Sequence, residues 1–201
     1  IGIQYGYAGY RDNLFLSGNP KYPNKIWWSG GEAIGHDYTY FPDLNYAFLG
    51  NANNAVKAFS LLPNGKLAIL KEYNSNEPTI YYMSYRMVER ESNLYVKEFP
   101  IQYGGTDEGA FNSCISNLNG DTMFISKNGV YALVQGSNIS SEERYAKPRS
   151  LLINEALRKN DLSKACTIVH DNKYYLSIND KCFVANGNEI TYENGILQYE
   201  W

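Results

Sequence analysis

The sequence predicts an all-β fold built from repeated antiparallel sheets, and three observations carry that reading. Strand and turn formers dominate: 19 tyrosines, 17 glycines and 23 asparagines stand against 3 methionines in 201 residues, a balance that suits pleated strands and tight turns better than helices. Apolar runs of strand length are divided by Asn-Gly, Asp-Asn and Asn-Asp pairs, the residues that supply the positive backbone angles of short hairpins. A turn followed by an apolar strand also recurs along the whole chain, as RDNLFLSG from Arg11, PNGKLAIL from Pro63, NGDTMFIS from Asn119 and HDNKYYLS from His170. Aligning Leu16, Ile69, Ile125 and Leu176 gives intervals of 53, 56 and 51 residues. A period near fifty with several short strands per unit is the pattern of a β-propeller. The competing arrangement, a sandwich or simple meander, fits this spacing less well.

Taken in order, the units fall at about 1–50, 51–105, 106–160 and 161–201, read together as one propeller-like domain of four four-stranded sheets or an arc of a larger ring. In the second unit VKAFSLL leads through Asn64-Gly65 into KLAILKE and, after a loop holding Pro78, into TIYYMSY. In the third, SCISNL, TMFIS and VYALV are joined through Gly120-Asp121 and Asn128-Gly129, and in the fourth ACTIVH, KYYLSI and KCFVAN are joined through Asp171-Asn172 and Asn179-Asp180. Fourth, outer strands are expected at LNYAFLG, LYVKEF and ITYENGILQYEW. The helical exception is RSLLINEALRKNDL, where Leu152, Ala156 and Leu157 share a face and Arg158 and Lys159 sit near the end, which predicts a short helix over 150–159.

Composition excludes several classes of function. Hydrophobic residues make up 44% of the chain and charged ones 19%, enough for a sizeable core and unlike a disordered or disulfide-stapled sequence. A net charge of −3 argues against a protein held to nucleic acid or anionic lipid by a basic face, and no run approaches the length of a membrane-spanning helix. The sequence opens on Ile1, the pattern of a processed product or a piece of a longer chain. Cys114, Cys166 and Cys182 have no metal-ligand spacing and are expected as buried free thiols in strands. The triplet Asn138-Ile139-Ser140 has the form of a glycosylation sequon, with nothing else to suggest secretion.

Candidate chemistry is sparse. His36 beside Asp37 and His170 beside Asp171 each pair an imidazole with a carboxylate, yet no nucleophile motif accompanies either. Asp107 and Glu108, on the Gly-rich loop GGTDEGAF, are the best-placed acid pair for glycan cleavage across a propeller pocket, although acids in such a turn are expected to be solvated. No metal or cofactor is expected, and the chain reads as a non-enzyme. Trp27, Trp28, Tyr38 and Tyr40 are candidate glycan contacts, joined by Tyr81 and Tyr82. Alternation along a strand sends Trp27 and Trp28 to opposite faces, and likewise Tyr81 and Tyr82, or Tyr174 and Tyr175, so half of these rings are expected in packing between sheets.

The runs YRDNLFLSGNPKYPNKIWWSG, YFPDLNYAFLG, AVKAFSLLPNGKLAILKE, GTDEGAFNSCISNLNGDTMFISKNGVYAL and HDNKYYLSIN resemble the propeller portion of tail nozzle and tail stabilisation proteins of tailed bacteriophages. The similarity covers roughly Tyr10 to Asn186; its most distinctive pieces are Ser17-Gly18-Asn19-Pro20, the Trp28-Ser29 strand and the Gly129-Val130-Tyr131 hairpin. The resemblance implies a virion structural subunit, assembled in the host cytoplasm into a ring with other tail proteins, around a channel through which genomic DNA leaves. Such proteins are usually much longer. A mildly acidic chain suits passage of DNA, because basic side chains would hold the phosphates. The alternative function is a propeller that binds or cleaves a surface glycan in host recognition.

Overall fold

A computed structural model describes residues 1–6, 12–30, 38–74, 76–92, 94–105, 108–135 and 144–201. Strands account for 53% of the structure and helix for 6%. Four sheets of four antiparallel strands follow one another along the chain. The first holds β1 (Gly2–Tyr5), β2 (Asn13–Ser17), β3 (Lys25–Trp28) and β4 (Tyr46–Phe48) in sequential order. The second begins with β5 (Val56–Leu61), β6 (Leu67–Lys71) and β7 (Ile80–Met83); a separate hairpin, β8 (Arg86–Glu91) with β9 (Leu94–Glu98), then intervenes before β10 (Ile101–Gly105) closes the order beside β7. The third runs β11 (Ile115–Leu118), β12 (Asp121–Ser126), β13 (Gly129–Gln135) and β14 (Arg144–Pro148), the fourth β15 (Cys166–His170), β16 (Lys173–Ile178), β17 (Lys181–Glu193) and β18 (Ile196–Glu200).

Turn chemistry explains the hairpins. Asn119-Gly120 and Asn194-Gly195 both have two consecutive positive φ angles, 50° and 83° in the first, 51° and 76° in the second, the conformation that matches the twist of the strands it joins. Asp171-Asn172 does the same with non-glycine residues at 47° and 56°, which short polar side chains tolerate. Between the third and fourth sheets, a 3-10 turn at Leu151–Ile153 runs into α1 (Asn154–Leu157), whose Leu157 is buried. The expected helix is therefore present but short.

The sheets meet through three apolar layers. Between the first and second, Phe15, Ile26 and Tyr5 pack with Ile69, Tyr81 and Met83. Ala68, Leu70, Ile80 and Tyr82 of the second meet Phe124 and Leu133 of the third. Met123, Ile125 and Val130 of the third meet Tyr174, Leu176 and Ile178 of the fourth. The inner strands of the second and third sheets thus divide their side chains between two neighbouring sheets, which only a period-two element can do.

Three sequence expectations need correction. Leu16, Ile69, Ile125 and Leu176 do all lie on the second strand of their sheets. Ile69 and Leu176 face the preceding sheet, whereas Ile125 faces the following one; the alignment of the third unit is one residue out, and one residue flips the face. Leu16 is only half-buried, because its neighbour Phe15 takes the covered side. The segment LYVKEF is not the fourth strand of the second sheet. It forms β9 of the intervening hairpin, and Ile101–Gly105 takes the expected place. Lys97 of that hairpin reaches the first sheet, its Nζ donating to Asn13 Oδ1 at 2.9 Å. Nor is ITYENGILQYEW one outer strand: Ile190–Glu193 ends β17, and the chain turns at Asn194-Gly195 so that only Ile196–Glu200 forms β18.

Candidate functional site

The open face of the first sheet carries a group of solvent-facing rings around one lysine. Lys25 and Trp27 alternate with inward Ile26 on β3, and Tyr46 and Phe48 alternate with Ala47 on β4, so the strand period alone puts all four on one side. Register then brings them together: Lys25 opposes Phe48 and Trp27 opposes Tyr46. The Lys25 ammonium lies 3.7 Å from the ring centre of Tyr46, 4.9 Å from that of Trp27, 5.3 Å from Phe48 and 5.4 Å from Tyr22. A cation over ring faces is held by the ring quadrupole, and here it organises the rings around itself. Lys21 stands 5.4 Å from the same Tyr22 ring. The face therefore offers aromatic surface and two ammonium groups together, an arrangement able to meet a ligand with flat apolar faces and negative charge.

Of the aromatic residues singled out from sequence, Trp27 belongs to this face. Trp28 points inward, its ring centroid 5.8 Å from Phe15 and 5.6 Å from Phe99, and is packing rather than a ligand contact. Tyr38 and Tyr40 are exposed, and the Tyr38 hydroxyl accepts from Gln4 Nε2 at 3.1 Å. Tyr81 and Tyr82 are both buried, one in each of two seams, as alternation requires. Tyr174 is fully buried and Tyr175 half-buried. Sequence reasoning missed Tyr22, Lys25, Tyr46 and Phe48. The signal available was the alternation K-I-W against Y-A-F, which becomes informative once the two strands are known to pair.

The acid pair behaves differently from expectation. Asp107 lies outside the described residues, as do His36, Asp37 and the sequon at 138–140. Glu108 is not a solvated loop group: it is 8% exposed, and its carboxylate accepts from the Ser126 hydroxyl and, at 3.0 Å, from Asn128 Nδ2. Burial, with the Glu108 charge beside it, pushes the Tyr131 hydroxyl up to about 12. Glu108 thus braces the β12–β13 hairpin from the loop that enters the third sheet. His170 and Asp171 are 3.3 Å apart and both well exposed. No group of three or more potential metal ligands occurs among the described residues.

The remaining buried charges are internal fasteners. Lys71 is fully buried at the end of β6, and its ammonium donates to the Leu49 carbonyl at 2.6 Å, to Asn51 O at 3.2 Å and to Glu77 Oε1 at 3.2 Å. Burial lowers the proton affinity of this amine, and Glu77 partly restores it. Arg149 Nε donates to Asp121 Oδ2 at 2.6 Å, and the Tyr199 hydroxyl of the fourth sheet donates to the same oxygen at 3.0 Å. These groups are hydrogen-bonded to one another and to backbone carbonyls.

Neither the protein-family models nor the curated proteins compared with this chain give a match.

Proposed function

We propose that this chain is a structural subunit of a tailed-phage virion, of the tail nozzle or tail stabilisation type, whose four sheets serve as blades of a propeller or of an arc within one. The observation that carries this reading is the stack itself. Four sheets of one build are sealed to each other by apolar layers, and the buried charges between them are spent on holding strands and loops in place. Such a module transmits load rather than turning over a substrate, which is what a ring around a DNA exit channel demands, and the sequence resemblance supplies the tail. The net charge of −3 favours release of DNA over retention. Antibodies raised against the chain should label purified tailed-phage particles from its source at the distal end of the tail. Particles free of the chain by both labelling and mass spectrometry would refute the proposal.

A second reading is favoured by the Lys25 face. Here the module contacts an acidic surface glycan, with Trp27, Tyr46 and Phe48 stacking on sugar rings and Lys25 and Lys21 meeting carboxylates. Calorimetric titration with a hyaluronan tetrasaccharide, tetragalacturonate and sialyllactose tests it. Binding to one of these that is lost in Trp27→Ala and weakened by salt supports the reading, and heat from none of the three removes it.

A further inference from the structure

Cys114 and Cys166 stand on opposite sides of the seam between the third and fourth sheets. Cys114 immediately precedes β11, and the Ser116 hydroxyl of that strand is 3.3 Å from the Thr167 hydroxyl of β15, so the first strands of the two sheets run side by side within side-chain reach. Cys114 Sγ donates to the carbonyl of Ala165 at 3.3 Å, the residue bonded to Cys166. Asn112 pins both backbones at this point: its Nδ2 donates to Ala165 O at 2.9 Å and to Leu162 O at 3.2 Å, while its Oδ1 accepts from Cys114 N at 2.9 Å. Cys166 follows Ala165 directly, so the Cys114 thiol sits against the peptide group that leads into Cys166. Both thiols are free, Cys166 exposed and Cys114 half-buried, a correction to the buried strand thiols expected from sequence.

We propose that Cys114 and Cys166 form a modification site, at which a small disulfide of the glutathione type oxidises the pair to a single bridge that locks the third sheet to the fourth. The order of events follows from exposure. Cys166, open to solvent, loses its proton, and its sulfur attacks one sulfur of the glutathione disulfide; that S–S bond breaks and one glutathione leaves, taking up a proton. Burial holds the Cys114 thiol above its usual range, so it reacts second, within the protein: its thiolate attacks the Cys166 sulfur of the mixed disulfide and expels the second glutathione, which takes up the other proton. Two protein thiols are oxidised and one disulfide is reduced to two thiols. Cys182 is excluded as the partner. It pairs with Ser177, which pairs in turn with Cys166, so two strand spacings, about 9 to 10 Å, separate it from Cys166, beyond the span of a disulfide.

The test uses the native protein, oxidised with glutathione disulfide, trapped by alkylation and mapped by peptide mass spectrometry. The expected product links the Cys114 and Cys166 peptides with no glutathione on either, and it melts at a higher temperature than the reduced protein. Cys114→Ser should stop at a stable glutathione adduct on Cys166, and Cys166→Ser should leave Cys114 unmodified. Wild-type protein that also stops at a Cys166 adduct, that bridges Cys166 to Cys182, or whose bridged form melts no higher, would overturn the proposal.

Discussion

Ile69 and Leu16 occupy the same strand of successive sheets and point to the same side of them, yet Ile69 is fully buried and Leu16 is half-buried. Ile69 has the first sheet in front of it, whereas Leu16 lies on the open face of the stack. The same contrast separates the two ends. The open side of the first sheet carries Trp27, Tyr46 and Phe48 around Lys25, and that of the fourth carries exposed Ile168, His170, Lys173, Ser177 and Cys182 beside half-buried Tyr175 and Val184. Burial in a stacked structure is conferred by the neighbour, not by the place within the repeat. The two ends differ in that only the first gathers several rings around a cation, and a clustered aromatic face invites contact.

The strongest way to break the comparison is at a buried charge in the covered part. Glu77→Ala should destabilise the protein by about 3 to 5 kcal/mol, because Lys71 would be left buried without its anion; urea unfolding that shows less than about 1 kcal/mol would mean that Lys71 reaches water. Ile69→Ala should cost about 2 to 5 kcal/mol through lost burial and a residual cavity, measured in the same way.

Alkaline titration probes the covered seams without mutation. Burial pushes the Tyr5 hydroxyl from 10.0 up to about 12. The native state therefore keeps a proton that the unfolded chain has lost, and stability present below pH 10 declines as pH rises toward 12, by about 2 to 3 kcal/mol from this residue. Tyr131 contributes in the same direction over the same window. Lys71 works oppositely, since its lowered affinity makes stability rise with pH until the ordinary lysine value of 10.5 is passed. Tyr5→Phe should flatten the alkaline decline, and an unchanged slope would show that the hydroxyl is not the source.

Glu108→Gln should cost about 1 to 3 kcal/mol, by weakening charge-assisted bonds to Ser126 and Asn128, where a solvated acid would cost almost nothing. The smallest effect belongs to the open face: Leu16→Ala should cost about 1 kcal/mol or less, in proportion to its partial burial. A loss equal to that of Ile69→Ala would mean that something covers the first sheet in solution, and sedimentation would then reveal self-association.

Much of the fold was legible in residues 55–83 and 113–134, where apolar runs and Asn-Gly turns name strands and hairpins directly. The candidate face was legible only in part. Trp27 is conspicuous in sequence, but Tyr46 and Phe48 lie some twenty residues away in a three-residue strand, and only pairing reveals that they share its side. The β8–β9 hairpin misled for a related reason, since a strand's composition does not say which sheet it joins.

What the sequence determined by itself is local: the all-β class, the hairpins around Asn119-Gly120 and Asp171-Asn172, the second strand of each sheet, and a short helical stretch within 150–159. These follow from backbone sterics and from apolar spacing over a few residues, which neighbours in the chain are enough to fix. Tertiary structure alone decided which face each strand gives to which neighbour, so that Ile125 looks toward the fourth sheet while Ile69 looks toward the first. It also buried Glu108, gathered the rings around Lys25 and set Cys114 beside Cys166 across a gap of 51 intervening residues. Such relations depend on register and on the stacking of one sheet against the next. A slip of a single residue exchanges the faces without altering the pattern that announces a strand.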